Sequence, residues 1–444
     1  MKNITKSFWI TAFSAAMIMI FLACGNTTGS NLGSPDSPGS PGTIFYTVTF
    51  DSDEGSVVPS QEVSEGGKAV EPGYVVKIIT GLHRGASAEG GLLGWYNGET
   101  KWDFNTVVTE DITLKARYTS PIDLSGADGE NIVEKAVSYI NNNPVDEGYI
   151  LVLDKNTAIK PQVLESHNFK LTVAGLNGEK TISLANGSSG TLFALGKNNS
   201  SVSVEFTLGK NITLKGKTGN NDAVITVNSS NAHFYMLSGS KITENSIYLT
   251  GSELVKDQIN TAAAVEIKNG KMTMKGGLIT GNTSTKIIKE AGFFQTPSAV
   301  AIHLTGALNM EGGSITGNTG AAAEIAYFVG PEITNPGFFS LSGNAEIGSV
   351  VMVSDNIWSQ RGIKIASSWN PDRKVVLHLS GNEGTMEYIP SRFKNGPVLD
   401  ASAAAIGKFE LGNFYGASLS TDWNNEQISP EYWISAVTGR LTDK

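Results

Sequence analysis

Short runs of alternating apolar and polar residues recur between residues 149 and 414, and glycine or asparagine separates one run from the next. The clearest unit is 274–282 (MKGGLITGN), and 310–318 (MEGGSITGN) repeats it 36 residues later (310 − 274). A less similar copy begins at Met236, and a more divergent copy begins at Leu341. A repeat of fixed period predicts an architecture built from stacked, similar units.

One unit reads as three short strands that are joined by corners. The strands are 264–267, 272–274 and 278–280, and the corners are Asn269-Gly270 and Gly276-Gly277. Strands this short do not form a free-standing sheet, so each must stack on the same strand of the next unit. The pattern therefore predicts a mainly β fold, a right-handed parallel β-helix over 120–440. In it, Ile279 should stack on Ile315 and Met274 on Met310.

The corner asparagines Asn245, Asn282 and Asn318 recur at the same place in successive units. Stacked asparagines can form a ladder of side-chain amides, as they do in cross-β structures. Each asparagine can equally well close only its own turn. The pattern favours neither interpretation.

A helix is predicted ahead of the repeats. Apolar residues fall at helical spacing in 131–140 (NIVEKAVSYI), Asp128 or Asn131 can cap the start, and Pro144 follows the end. Exposed strands at an open end of the stack invite aggregation, so another element usually covers that end. We therefore expect this helix to be the N-terminal capping helix of the β-helix.

The N-terminal region predicts export and lipid anchoring. Lys2 and Lys6 precede a mostly apolar run over 8–22 that is too short for a comfortable membrane span, and the run ends at Cys24, the one cysteine. Phe21-Leu-Ala-Cys24 resembles the lipobox of bacterial lipoproteins. The resemblance implies that 1–23 is a signal peptide and that Cys24 carries the lipid. An ordinary secretory signal with an incidental cysteine is the alternative. The Gly/Ser/Pro-rich segment 24–43 predicts a flexible tether.

Residues 44–119 form a separate small module in this interpretation. Four segments of the module resemble the Listeria–Bacteroides repeat, the B-repeat of internalin-type surface proteins. They are Val48-Thr49-Phe50, Gly94-Trp95-Tyr96, Trp102-Asp103-Phe104 and the final strand 111–118. The resemblance implies a β-grasp-like module whose stretch 77–90 is longer than the family usually has. Its aromatic residues could bind carbohydrate, but a domain this small needs them for its core, and we favour the core.

The repeats with their lead-in resemble β-helix surface lipoproteins of treponeme-like spirochaetes. That resemblance covers roughly 125–440 and implies an architecture and a location, the cell envelope and its outer membrane, rather than an activity. The formal net charge of −9 argues against nucleic acid as a partner. The five histidines are scattered and the cysteine stands alone, so we expect neither a metal nor a cofactor.

Enzyme motifs are missing from the sequence. Hydrolysis of acidic polysaccharides on a β-helix would need paired carboxylates, and the outward strand positions of the two best units hold Glu266, Thr273, Ala301 and Asn309. We therefore predict a non-enzymatic lipoprotein that displays its β-helix for adhesion or for binding a host or envelope glycan or protein. A carbohydrate-active enzyme, a polysaccharide lyase or glycoside hydrolase, and a purely structural envelope component remain alternatives.

The long interruption 283–298 is the predicted ligand-binding loop. Lys286 and Lys289 lie close to Phe293 and Phe294 there, a mixture of charged and aromatic residues that is common at the centre of interfaces. A similar Gly-Phe-Phe tip occurs at 337–339. Either tip can instead fold back or form strand, because large exposed apolar patches are rare.

The anchor can be tested by replacing Cys24 with serine. The variant lacks the thiol that a lipid would modify, so it should leave the detergent phase of a Triton X-114 separation, in which the wild-type chain should remain. A Cys24→Ser chain that still partitions like wild type would contradict the anchor.

Overall fold

The chain is mainly β. A computed structural model describes residues 43–72, 79–85, 92–118, 120–197, 200–220, 222–248, 262–285, 298–319, 323–329, 337–354, 362–381, 398–415, 432–434 and 440–443. Its strands form sheets of five, 22, two and two strands within these ranges. None of the helices in the described ranges has the length and apolar character to cross a membrane.

The elements are numbered in chain order. Strands β1 to β6 span Phe45–Asp51, Gln61–Ser64, Gly81–Arg84, Leu92–Asn97, Thr100–Lys101 and Ile112–Tyr118. Helix α1 spans Ile132–Asn142. Strands β7 to β18 span Tyr149–Leu153, Thr157–Ile159, Gln162–Leu164, Phe169–Gly175, Lys180–Leu184, Phe193–Leu195, Val204–Leu208, Ile212–Lys215, Ile225–Val227, Ala232–Met236, Ser240–Thr243 and Ser246–Tyr248.

The later elements continue this series. Strands β19 to β28 span Ala262–Ile279, Thr283–Thr285, Ser298–Ile315, Ala323–Val329, Phe339–Leu341, Glu346–Ile347, Ser349–Ser354, Ile363–Ile365, Val375–Gly381 and Leu399–Asp400. Helix α2 spans Ala403–Ile406. Strands β29 to β31 span Phe409–Tyr415, Tyr432–Ile434 and Leu441–Asp443. The last two pair antiparallel.

The five-stranded sheet belongs to the small module. Its order is β2-β1-β6-β4-β5, with β1 and β6 parallel and the other pairs antiparallel. Trp95 is buried and packs edge-to-face on Phe50, with ring centroids 4.9 Å apart. Trp102 and Phe104 pack against the same core. The prediction that these three aromatic residues serve the core is therefore confirmed.

The 22-stranded sheet is built from three parallel ladders, in which a strand pairs with the equivalent strand of the next repeat. Ladder A contains β7, β10, β13, β16, the middle of β19 and of β21, then β23, β26 and β28. Ladder B contains β8, β11, β14, β17, the ends of β19 and β21, and β24. Ladder C contains β9, β12, β15, the starts of β19 and β21, then β22, β25, β27 and β29.

The two best repeats lie side by side as the sequence predicts, with one difference. Met274 pairs with Met310 and Ile279 with Ile315, and all four side chains are buried. The three short strands predicted for each unit are one continuous strand, β19 or β21. The strand is continuous because pairing to the neighbouring repeat continues around the corners. Register shifts at the glycine-containing corners divide it into three segments.

Apolar rows fill the interior of the three ladders. Aliphatic and aromatic residues of successive strands contact one another, and Phe206 stacks on its register partner Phe234 with ring centroids 5.8 Å apart. Like residues at like positions bury each other's faces, and this packing compensates for strands of only three to five residues.

The corner asparagines form a hydrogen-bonded ladder. The backbone N–H of Asn245 donates to Oδ1 of Asn282 (3.2 Å), and Nδ2 of Asn282 donates to Oδ1 of Asn318 (2.9 Å). Nδ2 of Asn318 in turn donates to Oε2 of Glu324 (2.6 Å). The structure therefore confirms the ladder and shows a carboxylate at its end.

Strand β3 lies inside the stretch 77–90 and does not join the small sheet. It pairs antiparallel with β7, so that Leu82 lies opposite Leu151. Leu82 is fully buried in the core of the large sheet, and its carbonyl accepts a hydrogen bond from the N–H of Ile122. The inserted strand thus ties the small module to the first strand of ladder A.

Helix α1 begins and packs as its sequence predicts. The Asn131 side chain accepts hydrogen bonds from the N–H groups of Val133 and Glu134, which is an N-cap. Val133 and Ile140 are buried in the large core. Side chains of the helix also reach the backbone of ladders B and C, as Glu134 accepts from the N–H of Lys160 (2.8 Å).

The end of the asparagine ladder predicts a pH dependence of stability. Burial raises the pKa of Glu324, an effect that hydrogen bonds from Asn318 only partly offset. At pH values between the ordinary pKa of a glutamate and the raised pKa of Glu324, the folded state binds more protons than the unfolded state. The free energy of unfolding should therefore fall as pH rises through that window.

Glu324→Gln should remove this contribution, since glutamine does not titrate. Urea unfolding of both chains over a pH series measures the free energy of unfolding. The value for the variant minus the value for wild type should increase as pH rises. A difference that stays constant with pH would contradict the assignment.

Candidate functional site

The ligand residues predicted from the sequence cannot be placed. Cys24, Lys286, Lys289, Phe293 and Phe294 all lie outside the described residues. The second Gly-Phe-Phe tip is described, and there the strand alternative is confirmed, because Phe339 begins β23 and is fully buried. Its neighbour Phe338 is partly exposed.

Ladder A carries a row of polar and aromatic side chains on its outward side. They alternate with buried residues, as His233 and Tyr235 do with Ala232, Phe234 and Met236. We call this surface the Tyr235 face. Its members are Glu205, Thr207, His233, Tyr235, Lys271, Thr273, Asn309, Glu311, Phe338, Ser340 and Lys364.

An aromatic pair lies at one end of the Tyr235 face. The rings of His233 and Tyr235 stack with centroids 3.7 Å apart, and Nε2 of His233 is 2.8 Å from Oγ1 of Thr273. Burial and the charges of Lys271 and Lys275 lower the pKa of His233 to about 4. The imidazole is therefore neutral at pH 7 and, with the tyrosine ring, offers a flat surface.

A second aromatic ring lies three strands further along the ladder. Phe338 has the ammonium group of Lys271 5.9 Å from its ring centroid and that of Lys364 5.8 Å from it. Cation–π contacts of this kind contribute about 0.5–1 kcal/mol at exposed sites. The two lysines therefore place positive charge beside an apolar platform.

Hydrogen-bonding side chains fill the surface between the two aromatic groups. The Ser340 hydroxyl donates to Oδ1 of Asn309 (2.7 Å), and Nδ2 of Asn309 donates to Oε1 of Glu311 (2.7 Å). In the same row, Thr273 lies between Tyr235 and Asn309 but is buried, and Thr207 lies on the far side of Tyr235. Aromatic rings separated by hydroxyl and amide groups are suited to a ligand that carries both apolar and hydroxyl surfaces.

A buried charge occurs on the neighbouring ladder C. Glu266 occupies a position predicted to face outward, yet it is fully buried. Its Oε1 lies 3.0 Å from Nε2 of His303, whose ring stacks on Phe328. Its Oε2 has no hydrogen-bond partner in the described structure, and the Lys268 ammonium stands 3.5 Å away, an ion-pair distance. The Glu266 carboxylate can therefore orient the imidazole of His303.

A site for a metal ion is not assembled in the described ranges. No group of three or more His, Cys, Asp or Glu side chains there is arranged to hold a metal ion. A cavity of about 610 Å³ lies between β3, the start of α1 and the end of β7. Leu82 and Ile132 line it together with Lys135, Asp154 and Lys155, a mixed set with no convergent reactive groups.

Sequence reasoning missed the Tyr235 face, although part of the signal was present. Residues 232–236 (AHFYM) alternate, and this alternation alone could have placed His233 and Tyr235 outward. Their alignment with Lys271 and Phe338 depends on corner lengths that differ between repeats.

Comparison with known proteins finds one family. Residues 46–117 match the model of the Listeria-Bacteroides repeat domain, which confirms the resemblance proposed for the small module. No curated protein and no solved structure was found to match the chain. The match therefore concerns the small module.

Proposed function

We propose that the chain is a cell-envelope lipoprotein that displays a right-handed parallel β-helix and uses it to bind a host or envelope polymer without chemical turnover. Adhesion is the expected role. The observation that carries the proposal is the Tyr235 face, because it offers a binding surface on a scaffold of stacked strands.

The β-helix is supported by the order of the ladders. The chain passes from ladder A to B to C and returns to A, and the pairs between successive strands of each ladder are parallel. Helix α1 serves as the N-terminal cap in this proposal. Val133, Ala136 and Ile140 cover the first apolar row, and Glu134 and Asn141 accept hydrogen bonds from backbone N–H groups of the first repeat.

Display at the envelope is supported by the sequence alone. The proposed order is a signal peptide (1–23), lipid on Cys24, a tether (24–43), the small module and then the β-helix. The lipid anchor would be the contact with the membrane, and the outer membrane of a treponeme-like spirochaete is the expected location. A flexible tether after the anchor would lift the Tyr235 face away from the bilayer.

Binding without turnover is supported by the sequence, in which the motifs of polysaccharide hydrolases are missing. The carboxylates among the members of the Tyr235 face are those of Glu205 and Glu311. Burial and the charges of these two glutamates raise the pKa of Tyr235.

The proposal can be tested with the full-length chain in detergent on an array of glycans and extracellular-matrix proteins. Tyr235→Ala should weaken binding to any polymer found by roughly tenfold or more, as expected for a tyrosine that anchors a binding surface. Tyr96→Ala is the matched control, because Tyr96 is a partly exposed tyrosine on the small module. It should bind like wild type.

Two results would overturn the proposal. Release of reducing sugar or unsaturated uronate above a heat-inactivated control would favour the carbohydrate-active enzyme. A folded chain that binds no polymer on the array would favour the purely structural envelope component.

A further inference from the structure

Phe338 lies close to the ammonium groups of two lysines. Lys271 and Lys364 each hold their ammonium group within 6 Å of the centre of this ring. Neither lysine forms an ion pair with another described residue, whereas Lys160, Lys197 and Lys215 each form one with a glutamate. Two like charges beside one apolar ring are a favourable place for an anion.

The strand register places a small residue between Lys271 and Phe338. Lys271 pairs with Ala307, and the next residue, Leu308, pairs with Phe339, so Ala307 lies opposite Phe338. Ala307 is buried. Its small side chain allows the Lys271 ammonium group to approach the phenylalanine ring on the other side.

The chemistry of the site favours a sugar that carries an acidic group. A pyranose ring has an apolar face that can lie against an aromatic ring, and a carboxylate or sulfate on it would meet the ammonium groups. Asn309 and Ser340, on the strands of Ala307 and Phe338, add amide and hydroxyl groups for the sugar hydroxyls.

A nucleic acid suits the surface less well. It carries a phosphate on every nucleotide, and the carboxylates of Glu205, Glu311 and Asp400 border the same ladder. The chain as a whole has a formal net charge of −9. A glycan with sparser charge can place its acidic group at the two lysines and neutral groups near the carboxylates.

We propose that Lys271, Phe338 and Lys364 bind an anionic sugar residue within a glycan chain. This rests on the proposed function, because it specifies the polymer that the Tyr235 face binds. The aromatic pair His233–Tyr235, three strands or about 14 Å away, contacts a neutral part of the same chain.

The test uses the full-length chain and three probes: hyaluronan oligosaccharides, which carry one carboxylate per disaccharide, neutral dextran oligosaccharides, and polyuridylate. Wild type should bind hyaluronan, and the affinity should fall as sodium chloride is raised, because salt screens exposed charges. The double variant Lys271→Gln/Lys364→Gln should lose roughly tenfold in affinity for hyaluronan. Phe338→Leu, which keeps an apolar side chain and removes the ring, should also weaken binding.

Lys180→Gln/Lys241→Gln is the control, because it removes the same two charges from ladder B. It should bind like wild type, and thermal unfolding of all variants checks that they are folded. Three results would each overturn the anionic-sugar site. The Lys271→Gln/Lys364→Gln variant could bind hyaluronan as tightly as wild type, wild type could bind dextran more tightly than hyaluronan, or it could prefer polyuridylate. Loss of binding in Tyr235→Ala alongside an unaffected Lys271→Gln/Lys364→Gln variant would overturn this site and leave the proposed function standing.

Discussion

The structure depends on register between short parallel strands. Most strands of the three ladders are too short to be stable alone, so each is stabilised by the equivalent strand one repeat away. The same register brings Met274 onto Met310, Phe206 onto Phe234 and Asn282 onto Asn318. Apolar stacking and the amide ladder thus depend on one alignment, and a slip of one residue would turn every apolar side chain outward.

That alignment separates the parts of the chain that must stay constant from those that are free to carry function. The inward rows are fixed by packing, whereas outward positions on ladder A have no such constraint. They hold His233, Tyr235, Lys271 and Phe338, which come from three repeats and share one surface. A binding surface of this kind is extended and flat, and it lengthens with each repeat.

The sequence predicted the features that depend on local pattern. The repeat at 274–282 and 310–318 indicated stacking, and the aromatic residues of the small module were correctly assigned to its core. The partner of β3 could not be predicted, because its antiparallel pairing with β7 joins distant segments. Alternation placed Glu266 outward but could not show its burial, since neighbouring side chains cover an outward position only in the folded chain.

The most direct test of this account is the spacing along one outward row. Thr172, Thr207, Tyr235, Thr273, Asn309 and Ser340 follow one another in register, so five strand spacings separate the first from the last. Spin labels on cysteines introduced at Thr172 and Ser340 of the Cys24→Ser chain measure that separation by pulsed electron resonance. In-register stacking predicts a narrow distribution centred at about 24 Å, allowing for the label linkers. A broad distribution centred well beyond that distance would contradict it.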